Sequence, residues 1–328
     1  MGFSLNREGS APERDATGTV NGILPGRRRS KAATREAIAA YVFISPWIIG
    51  AIVFTFGPIL ASLYFSLTEY NVLQSPEWVG LDNYRQIVTS DDLFRKSLMN
   101  SFIYTIMYIP IHIIVALLIA MLLNTTVRGL PIWRTFFYLP VVTPVVAAAV
   151  LWRFLLNPQA GIVNQALRAV HLPTPGWTTD PDWLLRSVVL MVTWQAAGST
   201  MIIYLAGLKG IPRELYEAAE IDGAGWWSQT FNITLPLLSP VIFFTMVVGI
   251  IGSIQVFAQP RILFNDESGG AGNASLTYMM YLFNNAFSYF KMGYASALAW
   301  ILFVVILIVT AIQFWVSKRW VYYEGEGR

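Results

Sequence analysis

The chain has 328 residues, of which 55% are hydrophobic and only 12% are charged, and its formal net charge is +3. An ordinary soluble domain has about 25% charged residues. Here the charges are missing in blocks, which leaves apolar runs long enough to cross a bilayer core about 30 Å thick. Cysteine is absent, which excludes disulfides, thiolate catalysis and cysteine metal sites. The composition predicts an all-α, polytopic membrane protein built as one membrane domain.

Residues 1–37 are polar and rich in Gly, Ser, Thr and Arg, with a basic cluster at 27–31. They are not typical of a signal peptide, because the apolar run that follows is too long and no small-residue cleavage site follows it. We predict a disordered cytoplasmic N-terminal tail. Nucleic-acid binding by the basic cluster is the alternative, but basic clusters beside a membrane helix usually hold a segment in the cytoplasm.

Six apolar segments follow, and they place a membrane domain at 38–318 and a cytoplasmic C-terminal tail at 319–328. Prolines inside them, as at Pro110 and Pro144, are tolerated in membrane helices because neighbouring helices satisfy the freed backbone groups. We therefore predict about six transmembrane helices. Their approximate ranges are 39–67, 98–123, 136–156, 186–207, 237–258 and 296–317.

The distribution of Lys and Arg predicts the orientation of these helices, because short cytoplasmic loops carry the excess of positive charge. Fourteen Lys and Arg residues fall in the N-terminal tail, the second and fourth connections and the C-terminal tail, whereas seven are spread over three longer loops on the other side. Arg153 lies near the outer end of the third segment, where it can snorkel to the interface. Both termini are therefore predicted to be cytoplasmic.

Residues that carry catalytic chemistry are scarce. The two histidines, His112 in the second segment and His171 in an outer loop, have no partner at metal-ligand spacing, and we expect His112 to be packed and hydrogen-bonded. No G-x-x-x-x-G-K-[ST] loop occurs, so the chain does not hold ATP in the P-loop manner. The six segments contain almost no Asp, Glu or Lys, which disfavours an ion-coupled carrier. We predict that the chain is not an enzyme.

The fourth connection predicts a short cytoplasmic helix at about 212–224. Pro212 suits its first position, Glu217 lies near its positive N-terminal end, and Gly223 can adopt the left-handed conformation that ends a helix. An apolar face of this helix would suit a groove on a partner protein. The residues that share this face by their spacing are Leu215, Ala218 and Ala219.

This segment resembles the signature of permease subunits of bacterial binding-protein-dependent ABC importers, which reads E-A-A, three residues, G, nine residues, I-x-L-P. The sequence matches that signature in residue type and spacing. The resemblance implies that the short helix is a coupling helix, which docks on an ATPase subunit and transmits its closure. The residues assigned to this coupling are Glu217, Ala218, Ala219, Asp222, Gly223, Ile233, Leu235 and Pro236.

Other segments resemble the carbohydrate-type branch of that family, the branch of maltose and glycerol-phosphate importers, and they are most similar to the "F"-type member of its permease pair. The resemblance implies the ABC importer type I permease fold and a place in the cytoplasmic (inner) membrane of a bacterium. It also implies import of a sugar or oligosaccharide by alternating access. The segments that carry it are 66–71, 79–84, 134–140 and 156–161.

The same resemblance implies the partners: a second homologous permease, a dimer of ATPase subunits, an extracytoplasmic solute-binding protein, a sugar substrate and membrane lipid, but no nucleic acid. The chain would hold no cofactor of its own, since ATP and Mg would be bound by the ATPase subunits. Within the family, a permease for glycerol-3-phosphate or another polar solute is the alternative. Outside it, the alternatives are an ion-coupled secondary carrier and an intramembrane enzyme or receptor.

A sugar pathway needs polar groups and aromatic faces directed inward near the middle of the bilayer. Polar stretches interrupt the fourth and fifth segments, and by the resemblance both correspond to regions that contact sugar. Gln195 and Ser199 share a face because they lie four residues apart. Helix packing is the alternative role, since Ser, Thr and Gly are common at membrane helix interfaces. The predicted pathway residues are Trp194, Gln195, Ser199, Gly252, Ser253 and Gln255.

Overall fold

A computed structural model describes residues 31–125 and 128–322, which are mostly helical. Residues 1–30 of the predicted N-terminal tail and 323–328 of the predicted C-terminal tail lie outside the described residues. The first helix begins at Lys31, inside the segment predicted as tail. The α-helices are α1 (Lys31–Ala51), α2 (Gly57–Ser66), α3 (Asp82–Ser90), α4 (Asp92–Leu122), α5 (Leu130–Val142), α6 (Val145–Leu155), α7 (Ile162–Ala169), α8 (Pro181–Lys209), α9 (Arg213–Ile221), α10 (Trp226–Gln229), α11 (Leu235–Ile254), α12 (Ala258–Phe264), α13 (Tyr278–Phe283) and α14 (Met292–Ser317).

Shorter elements join these helices. A two-stranded antiparallel ribbon pairs β1 (Thr68–Glu69) with β2 (Glu77–Trp78). A 3₁₀ turn lies at Ala271–Asn273 in the loop between α12 and α13. Single wide π turns occur at Ile52–Phe56, Thr230–Thr234 and Asn284–Ser288.

The third predicted segment, 136–156, is not one straight helix. Five helical stretches of the described chain are long and apolar enough to cross a membrane, whereas α5 and α6 meet at a bend of 97°. Thr143 at the bend is extended, with φ −71° and ψ 125°. The ring of Pro144 accounts for this, because it disfavours helical backbone in the residue before it.

α4 and α8 lie side by side and run in the same direction. Tyr108 of α4 belongs to a hydrophobic cluster with Val188 of α8, and further along both helices Ala120 belongs to a second cluster with Leu208. Because the two helices advance in the same sense, the chain between them has to return across the bundle. α5 and α6 together make that return, which gives the six crossings that the sequence predicts.

α5 packs closely against α8 at Gly198. A Cβ atom at this position would collide with the carbonyl oxygen of Phe137 and would press on the Cα atom of Tyr138. Small residues at membrane helix interfaces allow backbones to approach in this way. Gly198 therefore sets the distance between the two helices.

Two of the π turns precede a proline inside a crossing helix. The turn Ile52–Phe56 comes shortly before Pro58, and the turn Thr230–Thr234 comes shortly before Pro236. In each, the amide of the residue before the proline bonds a carbonyl five residues earlier. A widened turn makes room for the proline ring, which would otherwise clash with the carbonyl four residues back. The helical stretch Trp226–Ile254 hence continues through Pro236, although the sequence predicted a crossing that begins only after it.

The end of the bundle that carries the β-ribbon lies a full crossing away from α9. α14 has 26 residues and is about 39 Å long. Its first residues lie beside the ribbon, where the amide of Gly293 donates to the carbonyl of Tyr70 at 3.1 Å. After its last turn, the amide of Tyr322 donates to Ser239 Oγ near the start of α11, at 2.9 Å. The two ends of the bundle therefore present separate surfaces.

Candidate functional site

α9 is the short helix predicted in the fourth connection, and its ends follow from its sequence. Pro212 stands just before its first residue, with ψ 134°, rather than at the first helical position. Gly223 has φ +79°, the left-handed conformation predicted for it. The amide of Gly223 donates to Glu220 O at 3.0 Å, and that of Ala224 donates to Ala219 O at 2.8 Å. These two bonds form a Schellman motif, which fixes where the helix stops.

The surface of α9 is open to a partner, since none of its residues is buried. On the face predicted to be apolar, Leu215 and Ala218 are exposed and Ala219 is half-buried. Ile221, at the end of the helix, is 88% exposed. Removing such apolar surface from water is favourable. Exposed apolar groups on a well-formed helix of this kind indicate a protein interaction surface.

The second half of the signature is anchored in the bundle. Tyr216 Oη of α9 lies 2.9 Å from Thr234 Oγ1, and Thr234 is buried at the end of the π turn that leads into α11. Of the residues assigned to coupling, three pack there and are half-buried: Ile233, Leu235 and Pro236. The remaining residues assigned to coupling lie on or directly after α9, and all of them except Ala219 are exposed: Glu217, Ala218, Ala219, Asp222 and Gly223.

A cavity of about 400 Å³ lies between the middle of α4, the end of α11 and the start of α12. Three of the predicted pathway residues line it: Gly252, Ser253 and Gln255. Ser253 is buried, and its Oγ donates to Thr105 Oγ1 at 2.9 Å. At Gly252 a Cβ atom would meet nothing within 4 Å, so the backbone there is open to the cavity. The structure therefore brings the fifth-segment residues together.

The wall that α4 contributes to this cavity was not predicted. Tyr104 and Tyr108 line it, their rings stack with centroids 5.5 Å apart, and Tyr108 stacks on His112 at 5.0 Å. His112 Nε2 lies 2.8 Å from Thr200 Oγ1, which confirms the packed, hydrogen-bonded histidine. The sequence does contain a pattern that could have predicted this wall: polar and aromatic residues repeat every four positions along one face of α4. The residues of this stripe are Asn100, Tyr104, Tyr108 and His112.

The predicted pathway residues of the fourth segment lie away from this cavity. Gln195 Nε2 donates to Thr143 O at 3.0 Å, at the bend between α5 and α6. Ser199 Oγ donates to a carbonyl of its own helix at 2.8 Å. Trp194 meets Trp152 edge to face, with centroids 5.8 Å apart. In this conformation the three side chains contribute to packing, and their contact with solute stays a prediction.

Comparison with known proteins identifies the chain. Residues 92–322 match the family described as the inner membrane component of binding-protein-dependent transport systems. This match includes both α9 and the residues around the cavity. The chain belongs to this family. The inner membrane component described here is thus a multi-pass transport permease, and the resemblance drawn from the signature of α9 is confirmed.

Curated relatives of the permease are similar over nearly its whole length. The probable ABC transporter permease protein YesP of Bacillus subtilis is 40% identical over 301 residues, covering 91% of this chain and 96% of the relative. The arabinooligosaccharides transport system permease protein AraP of Bacillus subtilis is 30% identical over 317 residues, covering 95% and 98%. The sequence similarity to ABC transporter permeases therefore extends over at least nine-tenths of the chain.

A solved structure supports the fold. A chain from the crystal structure of a bacterial alginate ABC transporter, in complex with an alginate pentasaccharide-bound periplasmic protein, superposes with a TM-score of 0.77. The match covers 89% of this permease and 98% of that chain, at 22% sequence identity. This likeness is one of fold, and it agrees with the predicted ABC importer type I permease architecture.

Proposed function

We propose that this permease is the translocating subunit of an ATP-driven importer that moves a sugar or oligosaccharide by alternating access. The observation that carries the proposal is the continuity between α9 and the cavity. Tyr216 of α9 is bonded to Thr234 at the base of α11. α11 then runs for 20 residues, about 30 Å, and its far end lines the cavity. One helix therefore links the exposed partner surface with the space for solute.

This continuity defines the mechanism. The exposed face of α9 docks on an ATPase subunit, and closure of the ATPase dimer displaces α9. The Schellman motif keeps α9 a unit of fixed length, so the displacement passes to α11 through the Tyr216–Thr234 contact and the chain between them. The cavity wall at Gly252 and Ser253 then shifts relative to Tyr104 and Tyr108. The cavity opens in turn to each side of the membrane, and solute crosses.

ATP and Mg belong to the ATPase partner in this mechanism, and the permease performs no covalent chemistry. Its sequence carries no phosphate-binding loop. Across residues 31–125 and 128–322, no group of three or more His, Asp or Glu side chains is placed to hold a metal ion. The role of the permease is to bind, orient and release solute.

The chemistry of the cavity favours a saccharide over a phosphate ester. None of the described residues that line it is Lys or Arg, and a phosphate group is normally held by charge-assisted hydrogen bonds from such residues. Hydroxyl, amide and aromatic groups take their place, at Tyr104, Tyr108, Ser253, Gln255 and Gln259. AraP, named for arabinooligosaccharides, points to the same substrate class. Glycerol-3-phosphate is therefore the weaker alternative.

The remaining partners follow from the transport cycle. A second homologous permease completes the pathway, and an extracytoplasmic binding protein delivers solute to the end of the bundle opposite α9. The alginate transporter chain, whose structure includes a periplasmic protein, supports this arrangement. Both termini lie in the cytoplasm, in agreement with the fourteen-to-seven distribution of Lys and Arg.

A pair of glycines after α9 tests the coupling role. Val at position 223 would have to adopt φ +79°, which a β-branched residue rarely does. Gly225 is a matched control, because it has φ −76° and ψ 172°. A Cβ atom meets nothing within 4 Å at either position. We expect Gly223→Val to reduce solute-stimulated ATP hydrolysis of the assembled transporter about ten-fold, and Gly225→Val to leave it near the wild-type rate.

A charge reversal on α9 gives an independent measurement. We expect Glu217→Lys, at an exposed position of α9, to release the ATPase subunit during purification. Glu77→Lys, on the ribbon at the opposite end of the bundle, should leave the complex intact. Normal assembly and normal stimulated hydrolysis in both Gly223→Val and Glu217→Lys would contradict the assignment of α9 as the transmission element.

A further inference from the structure

A second cavity, distinct from the one between α4 and α11, opens at the end of the bundle away from α9. We call it the outer cleft. It measures about 740 Å³ and is bounded by β1 and the residues after it, by α3, and by the segment from α13 to the start of α14. That volume lies within the range of small-molecule binding pockets. Nothing in the transport mechanism above uses it.

One wall of the outer cleft is built around Asp91. Its Oδ1 accepts the amide of Phe94 at 2.9 Å, and its Oδ2 accepts the hydroxyls of Tyr281, at 2.5 Å, and Tyr294. Burial, together with the hydrogen bond to Asp91, raises the pKa of Tyr281, so this hydroxyl stays protonated and continues to donate. Asp91 thereby joins α4 to α13 and α14.

The opposite wall is held by Asn83 of α3. Its Nδ2 donates to the carbonyl oxygens of Ser66 at 3.0 Å and Thr68 at 2.9 Å. Tyr70 is fixed by stacking on Phe65, with ring centroids 4.8 Å apart. A site whose walls are fixed before a ligand arrives loses little conformational entropy on binding. The outer cleft is preorganised in this sense.

Other groups in the outer cleft remain available to a ligand. The side chains of Glu69, Asp82 and Gln86 line it and are exposed. Within the described part of the chain they have no hydrogen-bond or ion-pair partner. The ring of Tyr289 is 58% exposed and also lines the cleft. Together these groups supply acceptors, a donor and an aromatic face.

This chemistry matches a neutral polyhydroxyl compound. Each sugar hydroxyl both donates and accepts, and Glu69 and Asp82 accept while Gln86 and tyrosine hydroxyls do both. We propose that the outer cleft is a second saccharide subsite, which holds part of an oligosaccharide at the outer face of the permease. The subsite rests on the proposed function.

A basic segment of the binding protein is the competing occupant. Lys291 also lines the outer cleft and would repel a cation placed beside it. The carboxylate of Asp91 is already bonded to two tyrosine hydroxyls and an amide, which leaves it little capacity for a new partner. The two carboxylates of Glu69 and Asp82 and the one lysine leave the rim a net charge of −1, and because these groups are exposed they would hold a basic segment only weakly.

The test uses the full permease in its assembled transporter, with arabinooligosaccharides of two and five units as probes. The variants are Gln86→Ala, Tyr289→Ala and Glu69→Gln, and none of these residues makes a contact that holds the walls. Glu77→Gln is the matched control, because Glu77 faces Glu69 across the ribbon but does not line the cleft. We expect each variant to weaken binding of the five-unit probe, measured by saturation-transfer NMR without binding protein, about three- to ten-fold. Glu77→Gln should bind as the wild type does.

Stimulation of ATP hydrolysis by loaded binding protein separates the competing explanations. The subsite predicts that the variants impair stimulation by the five-unit probe more than stimulation by the two-unit probe. Equal impairment for both probes, with unchanged NMR binding, would assign the cleft to the binding protein and overturn the subsite. Unchanged NMR binding and unchanged stimulation in every variant would overturn it as well. A wild-type transporter that no saccharide stimulates would contradict the proposed function, while the NMR titration would still decide the cleft.

Discussion

Gln195 shows how a residue predicted from chemistry alone can serve a different purpose in the fold. A glutamine in an apolar helix has the donors and acceptors that a sugar site needs. Its amide nitrogen is instead bonded to Thr143 O at the bend between α5 and α6. A helix break inside a membrane is tolerated only where its freed carbonyls find donors, so Gln195 supports the bend.

Removing the donor at Gln195 should therefore lower stability. We expect Gln195→Leu to leave the Thr143 carbonyl without its donor and to destabilise the permease by about 1–3 kcal/mol. Ser199→Ala is the comparison, since Ser199 Oγ bonds only within its own helix and its loss should cost far less. Thermal unfolding in detergent measures both. Equal midpoints for Gln195→Leu and the wild type would show that the bend does not depend on this bond.

Local backbone conformations could be predicted from the sequence, whereas contacts between residues far apart in the chain could not. The left-handed Gly223 depends on its immediate neighbours, and the sequence predicted it. Asn100 Nδ2 donates to Asn273 O at 2.8 Å and Leu276 O at 3.0 Å, across more than 170 positions of the chain. The same holds for the bonds of Asp91 to Tyr281 and Tyr294. No local pattern encodes such pairs, so the outer cleft could not be predicted.

At the scale of elements, the crossings were predictable because their length is imposed by the bilayer. A helix needs about 20 apolar residues to cross it, and windows of that size stand out in this chain. The bend between α5 and α6 was not predictable, because prolines elsewhere in the crossings are accommodated differently. Pro58 and Pro236 follow π turns within continuous helices, whereas Pro144 follows an extended residue. Which outcome occurs depends on neighbours such as Gln195.

The bend can be measured directly, since the chain has no cysteine to interfere with spin labels. Ile132 on α5 and Phe154 on α6 are both exposed and suit labelling after replacement by cysteine. A straight helix would separate their backbones by about 33 Å. Two segments joined at a bend of 97° bring them to about 21 Å. A distance distribution centred near the longer value, in the lipid-embedded permease, would refute the bend.

For the whole molecule, the parallel course of α4 and α8 requires a crossing between them, and one crossing by each of the other three long apolar stretches gives the predicted six, with both termini predicted on one side. The predicted orientation places α9 in the cytoplasm and the loop around α7 outside. We expect a membrane-impermeant thiol reagent to label His171→Cys on intact cells and to label Asp222→Cys only in inside-out vesicles. Labelling of both from the same side would overturn the six-crossing arrangement, and the opposite sidedness would reverse the orientation.

The close approach at Gly198 has a mechanical consequence. With the carbonyl of Phe137 occupying the space of a side chain, α5 cannot slide or roll along α8 without collision. We therefore expect the two helices to move together as one rigid body during a transport cycle. α11 approaches α8 closely at Gly207, but through the side chains of Leu238 and Val241 rather than through backbone. Side chains can change rotamer, and the space at Gly252 is open, so α11 is the helix better suited to move. In each turnover, α11 would then move relative to the fixed pair of α5 and α8.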